Sequence, residues 1–147
     1  MTSPQDNSLE LFIVLARAYN WITAHPMRHV REYGMNLTEF GVLDLLYHQG
    51  PQPLQRIGVK ILISSGNITY VVDKLERKGL LKRNPSDKDR RVIFAEITDR
   101  GRAFMDDVFP RHAEVIRYAM SGLNHEEKEM AVRLLKKLGH AAQERFE

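Results

Sequence analysis

The 147-residue chain contains no cysteine. Disulfide bonds, zinc sites built on thiolates and thiol redox switches are therefore excluded, because each of them requires a cysteine sulfur. A chain without cysteine is typical of a reducing compartment, so we expect a cytoplasmic protein. A response to oxidants would have to proceed by reversible binding or by methionine oxidation.

Long hydrophobic runs and the short signatures of common enzymes are also missing. No segment approaches the roughly 20 apolar residues that a membrane-spanning helix needs, and no secretion signal opens the chain. The sequence has no nucleophile elbow, no glycine loop for a phosphate and no paired-carboxylate pattern. We therefore expect no membrane association, no enzymatic activity and no cofactor.

The charge of the chain is concentrated in its middle. Residues 53–93 carry ten lysines and arginines against four acids, a net charge of +6, whereas the rest of the chain sums to −3. A basic segment between mildly acidic ends is typical of a module that binds a polyanion. A solvated charged surface is the alternative, which charge alone does not exclude.

Apolar residues at helical spacing dominate the sequence, whose length and 43% hydrophobic content suit one domain. A long first helix is predicted over about 8–33, where Pro26 should kink or break it near Ile22. Thr38 is the expected N-cap of a second helix. A short third helix is predicted over 53–61.

A fourth helix and a β-hairpin are predicted next. Ser64 or Ser65 is the expected cap of the fourth helix, and Gly79 follows its last turn. The apolar period then changes from helical to alternating over 80–83 and 91–97. This change predicts two antiparallel strands joined by the turn NPSDKD.

Two more helices are predicted after the hairpin. Thr98 is the expected cap of a long helix that runs to about Met120, and Asn124 with Glu127 forms a capping-box pattern before the last helix. The first and last helices both carry apolar stripes, and one chain of this size offers no second layer to cover them. Dimerisation would bury both stripes.

The order of these elements predicts a winged helix-turn-helix. The fourth helix would place its first turns in the major groove of DNA, where polar side chains meet base edges. An arginine at the tip of the hairpin suits the neighbouring minor groove, because lysine is more strongly hydrated. Asp89 is close enough in sequence to hold such an arginine in place.

The stretch DRRVIFAEITDRG resembles the MarR (multiple antibiotic resistance regulator) family of winged-helix repressors, whose pattern is Asp-x-Arg, five residues, Leu-Thr-x-x-Gly. The matching residues are Asp89, Arg91, Ile97, Thr98 and Gly101. Isoleucine replaces the usual leucine with its volume conserved. The likeness continues upstream through GMNLTEFGVLDLL and SSGNITYVVDKLERKGLLKR, and LELFIVLARAY resembles a branch that responds to quinones and related aromatics.

The resemblance implies a mainly α fold with a small β-hairpin wing, in which a winged helix-turn-helix is flanked by long dimerisation helices. Residues 1–147 would form a single domain of this type, with the winged motif at about 36–97 and the dimerisation helices at about 8–33 and 98–147. A homodimer would grip a pseudo-palindromic operator in double-stranded DNA. Its two recognition helices should lie ~34 Å apart, as two-fold half-sites require.

The residues expected to contact DNA lie in the fourth helix and in the wing. They are Ser64, Ser65, Gly66, Asn67, Thr69, Tyr70, Lys74, Arg83, Lys88, Asp89, Arg90 and Arg91. Asn67 is the expected base reader, and Arg91 is the expected groove or backbone contact. The alternative for each is a solvated side chain.

Family members bind small aromatic effectors between the first helix and the winged part. Tyr19, Trp21, Tyr33 and Tyr47 are the residues expected to line such an effector pocket, although each of them also suits a core. The expected effect of the effector is to change the separation of the two recognition helices.

Two alternatives to an aromatic-responsive repressor remain open from the sequence. His25 and His29 stand four residues apart, which suggests a zinc-responsive regulator of the same fold. Pro26 disturbs that turn and no third ligand has suitable spacing, so no metal is expected. The other alternative is a ligand-independent module that binds nucleic acid or protein, because fold alone does not decide function.

Overall fold

The computed structural model of the protein describes residues 6–61 and 65–147, which form six helices and three short strands. In chain order these are α1 (Ser8–Arg31), α2 (Leu37–Gln49), β1 (Gln52–Pro53), α3 (Leu54–Lys60), α4 (Ser65–Arg77), β2 (Leu81–Pro85), β3 (Ile93–Ile97), α5 (Asp99–Ala119) and α6 (His125–Phe146). The predicted mainly helical fold with a small wing is confirmed.

The predicted long first helix is confirmed: of the kink or break expected near Ile22, the break does not occur, because the helix runs without interruption through Pro26. Proline lacks the N–H that would bond one turn back, and this loss normally destabilises a helix interior. Here Pro26 is buried and α1 packs along α5, so tertiary contacts hold the helix together across the missing bond. After Arg31 the chain turns at Gly34, whose φ of 70° is unfavourable for residues with a side chain.

The cap of α2 is Asn36, not Thr38. The Asn36 side chain accepts a hydrogen bond from the Glu39 backbone N–H at 2.8 Å, and its own backbone is extended. Thr38 therefore lies within the first turn of the helix. Both residue types cap helices well, and the sequence alone did not show where the chain leaves the extended conformation.

The wing is a three-stranded antiparallel sheet rather than the predicted two-stranded hairpin. Its strand order is β1-β3-β2, with Gln52 opposite Ala95 on one side of β3 and Leu81 opposite Ile97 on the other. The strand β1 was missed because it has only two residues, one of them Pro53, and so shows no alternation.

The core lies where α2, α3, α4, the sheet and the first half of α5 meet. Among its fully enclosed side chains are Leu43, Leu46, Ile57, Val72, Leu75, Leu81 and Met105. Ala95 and Ile97 on β3 face this core. The sheet is therefore anchored to the helices and holds the wing turn at a defined place beside α4.

The predicted caps of α5 and α6 are confirmed. The Thr98 hydroxyl accepts from the Gly101 N–H at 3.0 Å and donates to the Gly79 carbonyl at 2.6 Å, which ties α5 to the turn after α4. A Cβ atom at Gly101 would lie 2.1 Å from the Leu80 carbonyl oxygen, so this close approach requires glycine. Asn124 and Glu127 form the expected reciprocal capping box at α6.

None of the helices in residues 6–61 and 65–147 has the length and apolar character that are needed to cross a membrane.

Candidate nucleic-acid interface

The helix α4 has one side in the core and one side in solvent. Its buried side consists of Ile68, Val71, Val72 and Leu75. Asn67, Thr69 and Tyr70 are exposed on the other side, near the start of the helix, and Tyr70 keeps 65% of its surface accessible. The core contacts therefore present these three side chains outward from a fixed helix, as reading base edges requires.

Three predicted DNA contacts fall at the beginning of α4. Ser64 lies outside the described residues, as do the side-chain surroundings of Ser65 and Gly66. Ser65 is the first residue of the helix. The role of these three residues stays a prediction.

Lys74, also predicted to contact DNA, is engaged within the protein. Its Nζ donates to Oε1 of Glu39 on α2 at 2.9 Å, and the Glu39 side chain is only 2% exposed. This hydrogen bond raises the pKa of Lys74 above its ordinary value. Sequence reasoning missed Glu39, because an acid in the first turn of a helix is common and 35 residues separate it from its partner.

Arg83 on β2 is likewise held by carboxylates. Its guanidinium donates to Glu76 at 2.7 Å and to Asp73, and its backbone N–H donates to Glu76 at 3.2 Å. Both acids belong to α4, so Arg83 joins the wing to the helix. The predicted DNA contacts Lys74 and Arg83 thus have intramolecular partners in the structure.

The wing turn carries cations that point into solvent. Lys88 and Arg90 are exposed and have no acidic partner within 4 Å among the described residues. Arg91 keeps 91% of its side chain accessible while its Nε and Nη2 donate to Asp89 at 3.2 and 3.3 Å. Asp89 also accepts from the Arg91 backbone N–H at 3.0 Å, so the predicted Asp89–Arg91 link is present.

This link orients Arg91 without burying it. The hydrogen bonds from Arg91 hold the pKa of Asp89 below its ordinary value, so the carboxylate stays ionised at neutral pH. The Ser86 hydroxyl accepts from the Asp89 and Lys88 N–H groups at 3.3 and 3.2 Å and shapes the turn. The tip therefore presents a guanidinium that is pre-oriented and still able to meet an anion.

The four aromatic residues predicted for an effector pocket are divided between two places. Tyr19 and Trp21 are exposed on α1. Tyr33 packs edge-on against Phe104 with ring centroids 5.5 Å apart, and the Tyr47 hydroxyl donates to Asp106 on α5. None of the aromatic contacts in the described residues joins the first pair to the second.

Histidines meet at the junction of α1, α2 and α5 in an arrangement that the sequence did not predict. The Nδ1 atoms of the buried His29 and His112 lie 3.2 Å apart, and the His112 ring stands 4.2 Å from that of Phe40. One Nδ1 must donate and the other accept, so at least one ring is neutral. Burial, and then the nearby His29, lower the pKa of His112. The two histidines are 83 residues apart, which no local pattern could reveal.

The pair of His25 and His29, which suggested the zinc-responsive alternative, belongs to no group of potential metal ligands in the described residues. His25 stacks edge-on with Tyr118 instead. Within residues 6–61 and 65–147, no group of three or more histidine, aspartate or glutamate side chains is placed to hold a metal ion.

Apolar grooves run between α1 and α6. One of about 600 Å³ is lined by Ala18, Ile22, Ala119, Met120, Gly122, Leu123, Lys128, Ala131, Val132 and Leu135. A second of about 420 Å³ is lined by Ser8, Leu11, Phe12, Leu15, Leu135, Leu138, Gly139 and Ala142. Leu135 belongs to both, so the two grooves adjoin along the same pair of helices.

Comparison with known proteins agrees with this geometry. The sequence model of the MarR family matches residues 35–93. The chain is 55% identical over 134 residues to the HTH-type transcriptional regulator MhqR of Bacillus subtilis, covering 91% of this chain and 92% of that protein.

Solved structures show the same fold. BpsR of Bordetella bronchiseptica, whose DNA binding is described as regulated by 6-hydroxynicotinic acid, superposes with a TM-score of 0.82 and 26% identity, covering 93% of this chain and 98% of that one. Sco3205 of Streptomyces coelicolor, solved in complex with DNA, superposes with a TM-score of 0.85 and 19% identity, covering 96% and 91%.

Proposed function

Because the chain belongs to the MarR family of DNA-binding transcriptional regulators, we propose that it is a homodimeric repressor that releases a pseudo-palindromic operator when a small aromatic effector binds. The observation that carries this proposal is the pairing of an exposed, polar start of α4 with a wing tip at which Asp89 orients Arg91.

Different residue types suit different kinds of contact with DNA. Asn67, Thr69 and Tyr70 lie on a helix whose opposite side is in the core, and their amide and hydroxyl groups suit base edges and phosphates. Arg91 suits the narrow minor groove, where a weakly hydrated planar cation is favoured. Lys88 and Arg90 beside it suit phosphates.

A second copy of the chain explains the apolar surface of α1 and α6. Phe12 is 71% exposed and Leu134 is 55% exposed, and the grooves between the two helices are almost entirely apolar. Exposed apolar area of this extent is typical of a protein interface. Pairing through these helices would place two copies of α4 at the spacing of successive major grooves.

The effector is proposed to act at the junction of the dimerisation helices with the winged part. Aromatic side chains of α2, of α5 and of the turn after α1 meet there, among them Phe40, Phe104 and Tyr33. Regulation of BpsR by a hydroxylated aromatic acid supports an effector of that class. Without cysteine, such a compound would act by reversible binding, and binding at this junction would change the separation of the two recognition helices.

Selection of bound duplexes from random DNA, followed by a screen of phenols, quinones and aromatic acids on the selected complex, tests the proposal. We expect a pseudo-palindromic site whose half-sites lie about one helical turn apart, bound by a dimer and released by at least one compound. A monomeric protein without preference for any duplex would overturn it. Specific binding that no aromatic compound releases would instead support the ligand-independent alternative.

A further inference from the structure

A buried carboxylate links the corner between α1 and α2 to the recognition helix α4. Glu39 is 2% exposed, and its Oε1 accepts from Lys74 Nζ at 2.9 Å. Its Oε2 lies 3.6 Å from Lys78 Nζ, which donates to the Gly34 carbonyl at 3.1 Å. Lys78 follows the last residue of α4 directly, and its backbone N–H donates to the Lys74 carbonyl, so the two lysines are one turn apart and reach the same acid.

Both lysines are strongly constrained by this arrangement. An ionised carboxylate removed from water is costly unless it is paired, and loss of one partner leaves an uncompensated buried charge. If Lys74 turned away toward a phosphate, Glu39 would keep only Lys78, whose Nζ lies 3.6 Å from Oε2.

We propose that Glu39 is a positioning residue for operator recognition, which holds α4 in its reading orientation through Lys74 and Lys78, and that Lys74 is not a phosphate contact. This inference rests on the proposed function, because it assumes that α4 reads an operator. Glu39 itself touches no DNA.

Ionic links add a directional restraint to the apolar contacts that fix α4 in the core. Contacts of the Val72 and Leu75 type are non-directional, whereas a charged hydrogen bond fixes both distance and angle. Arg83 provides a second link through Asp73 and Glu76, so the later half of α4 is held from α2 and from the wing.

The start of α4 reads DNA, and the links lie farther along the helix. Lys74 is seven residues beyond Asn67, which is ~10 Å along a helix at about 1.5 Å per residue. A tilt of about 10° at Lys74 would move Asn67 by ~2 Å, which exceeds the tolerance of a hydrogen bond. Loss of the link should therefore weaken sequence reading and leave general attraction to DNA intact.

Three single variants of the full-length protein decide between positioning and phosphate contact: Glu39→Gln, Lys74→Met and, as a matched lysine on the wing, Lys88→Met. Affinity for the selected operator and for an unrelated duplex is measured over a salt series, with the thermal unfolding midpoint as a check of folding. Glu39→Gln removes a negative charge and Lys74→Met removes a positive one, so a purely electrostatic role would move the affinities in opposite directions.

We expect Glu39→Gln and Lys74→Met each to lower operator affinity about tenfold, a small part of a typical specificity ratio. Affinity for the unrelated duplex and the slope of log K against log salt should stay near those of the wild type. Lys88→Met should weaken both duplexes and reduce the slope by about 0.9 for each phosphate that the protein no longer neutralises. Lys74→Arg keeps a donor to Glu39 and should restore part of the operator affinity, and the double variant should lose little more than either single one.

A reduced salt slope and equal weakening of both duplexes in Lys74→Met would overturn the inference, as would tighter operator binding by Glu39→Gln. If Glu39→Gln does not fold, Lys74→Met and Lys74→Arg still decide the question. Failure of the wild type to prefer any duplex would sink the proposed function itself. Specific binding by the wild type with unchanged affinity in these variants would reject the role of Glu39 alone.

Discussion

The winged part buries its apolar residues, whereas the two terminal helices leave most of theirs exposed. In the winged part, Leu43, Leu46 and Leu75 are fully enclosed by the same chain. In α6 no residue is buried, and the first half of α1 is exposed along its whole length. The core of the winged part is completed within the chain by Val30 of α1 and Met105 of α5, whereas the apolar residues of α6 and of the first half of α1 are left exposed.

The difference separates a region that is packed within one chain from a region whose apolar surface is uncovered. Leu43, Leu46 and Leu75 are packed within the chain, whereas Leu134 and Leu138 on α6 are exposed. The function proposed for the winged part still depends on the terminal helices, because two half-sites must be bound together.

Breaking the interface should have the largest effect. Leu134→Glu places a charge on the exposed apolar side of α6, and we expect the dimer to dissociate and operator affinity to fall by roughly 100-fold or more as avidity is lost. Analytical ultracentrifugation with a parallel DNA titration measures both. Gln143→Glu adds the same charge on the same helix and should leave the dimer intact. A stable Leu134→Glu dimer would show that α6 pairs through another side.

Shortening a leucine in each region should separate core from interface. Leu43→Ala empties a fully buried site and should destabilise the protein by ~2–5 kcal/mol at every protein concentration. Leu134→Ala should act through dissociation, so its effect on the unfolding midpoint should shrink as protein concentration rises. Denaturant titrations at several concentrations measure the two effects. If the unfolding of Leu43→Ala and of Leu134→Ala depended equally on protein concentration, the assignment of one leucine to the core and the other to the interface would be wrong.

Shortening the arginine side chain at the wing tip should weaken DNA binding and leave the core and the dimer interface unchanged. Arg91→Ala removes an exposed guanidinium, and we expect specific operator binding to weaken by ~1–3 kcal/mol with the dimer still folded. Arg145→Ala removes an exposed arginine near the end of α6 and serves as the control. Unchanged operator affinity of Arg91→Ala at fixed salt would contradict the minor-groove assignment.

Lowering the pH should have the smallest effect, a loss of stability that originates at His112, where the winged part meets α1 and α5. Burial holds the pKa of His112 below its unfolded value, so its contribution to stability is present above about pH 6.5, the ordinary histidine value, and is lost as the pH falls through the folded pKa. As the pH is lowered below about 6.5, we expect the thermal unfolding midpoint of the wild type to fall, and that of His112→Phe to fall less. Exposed His140→Gln is the control. Identical pH profiles for wild type and His112→Phe would exclude this histidine as the cause.

Residues close together in the chain were predicted well. The caps at Thr98 and Asn124, the turn at Gly79 and the link between Asp89 and Arg91 all form as expected. Each depends on groups no more than a few residues apart, whose geometry is set by the backbone near them.

Predictions that depended on distant neighbours failed or were not made. A kink or break near Ile22 was expected from the hydrogen bond that Pro26 loses, but the helix continues without a break where α1 packs on α5. The strand β1 exists only because β3 is there to pair with it.

The sequence by itself determined the helices, the wing turn, the basic middle and the family, because these depend on composition and on spacing within a few residues. Only the tertiary structure decided that Lys74 meets Glu39 and that His29 meets His112, since both pairs form between helices that are far apart in the chain. Such contacts depend on how the core packs the helices, which no local pattern specifies.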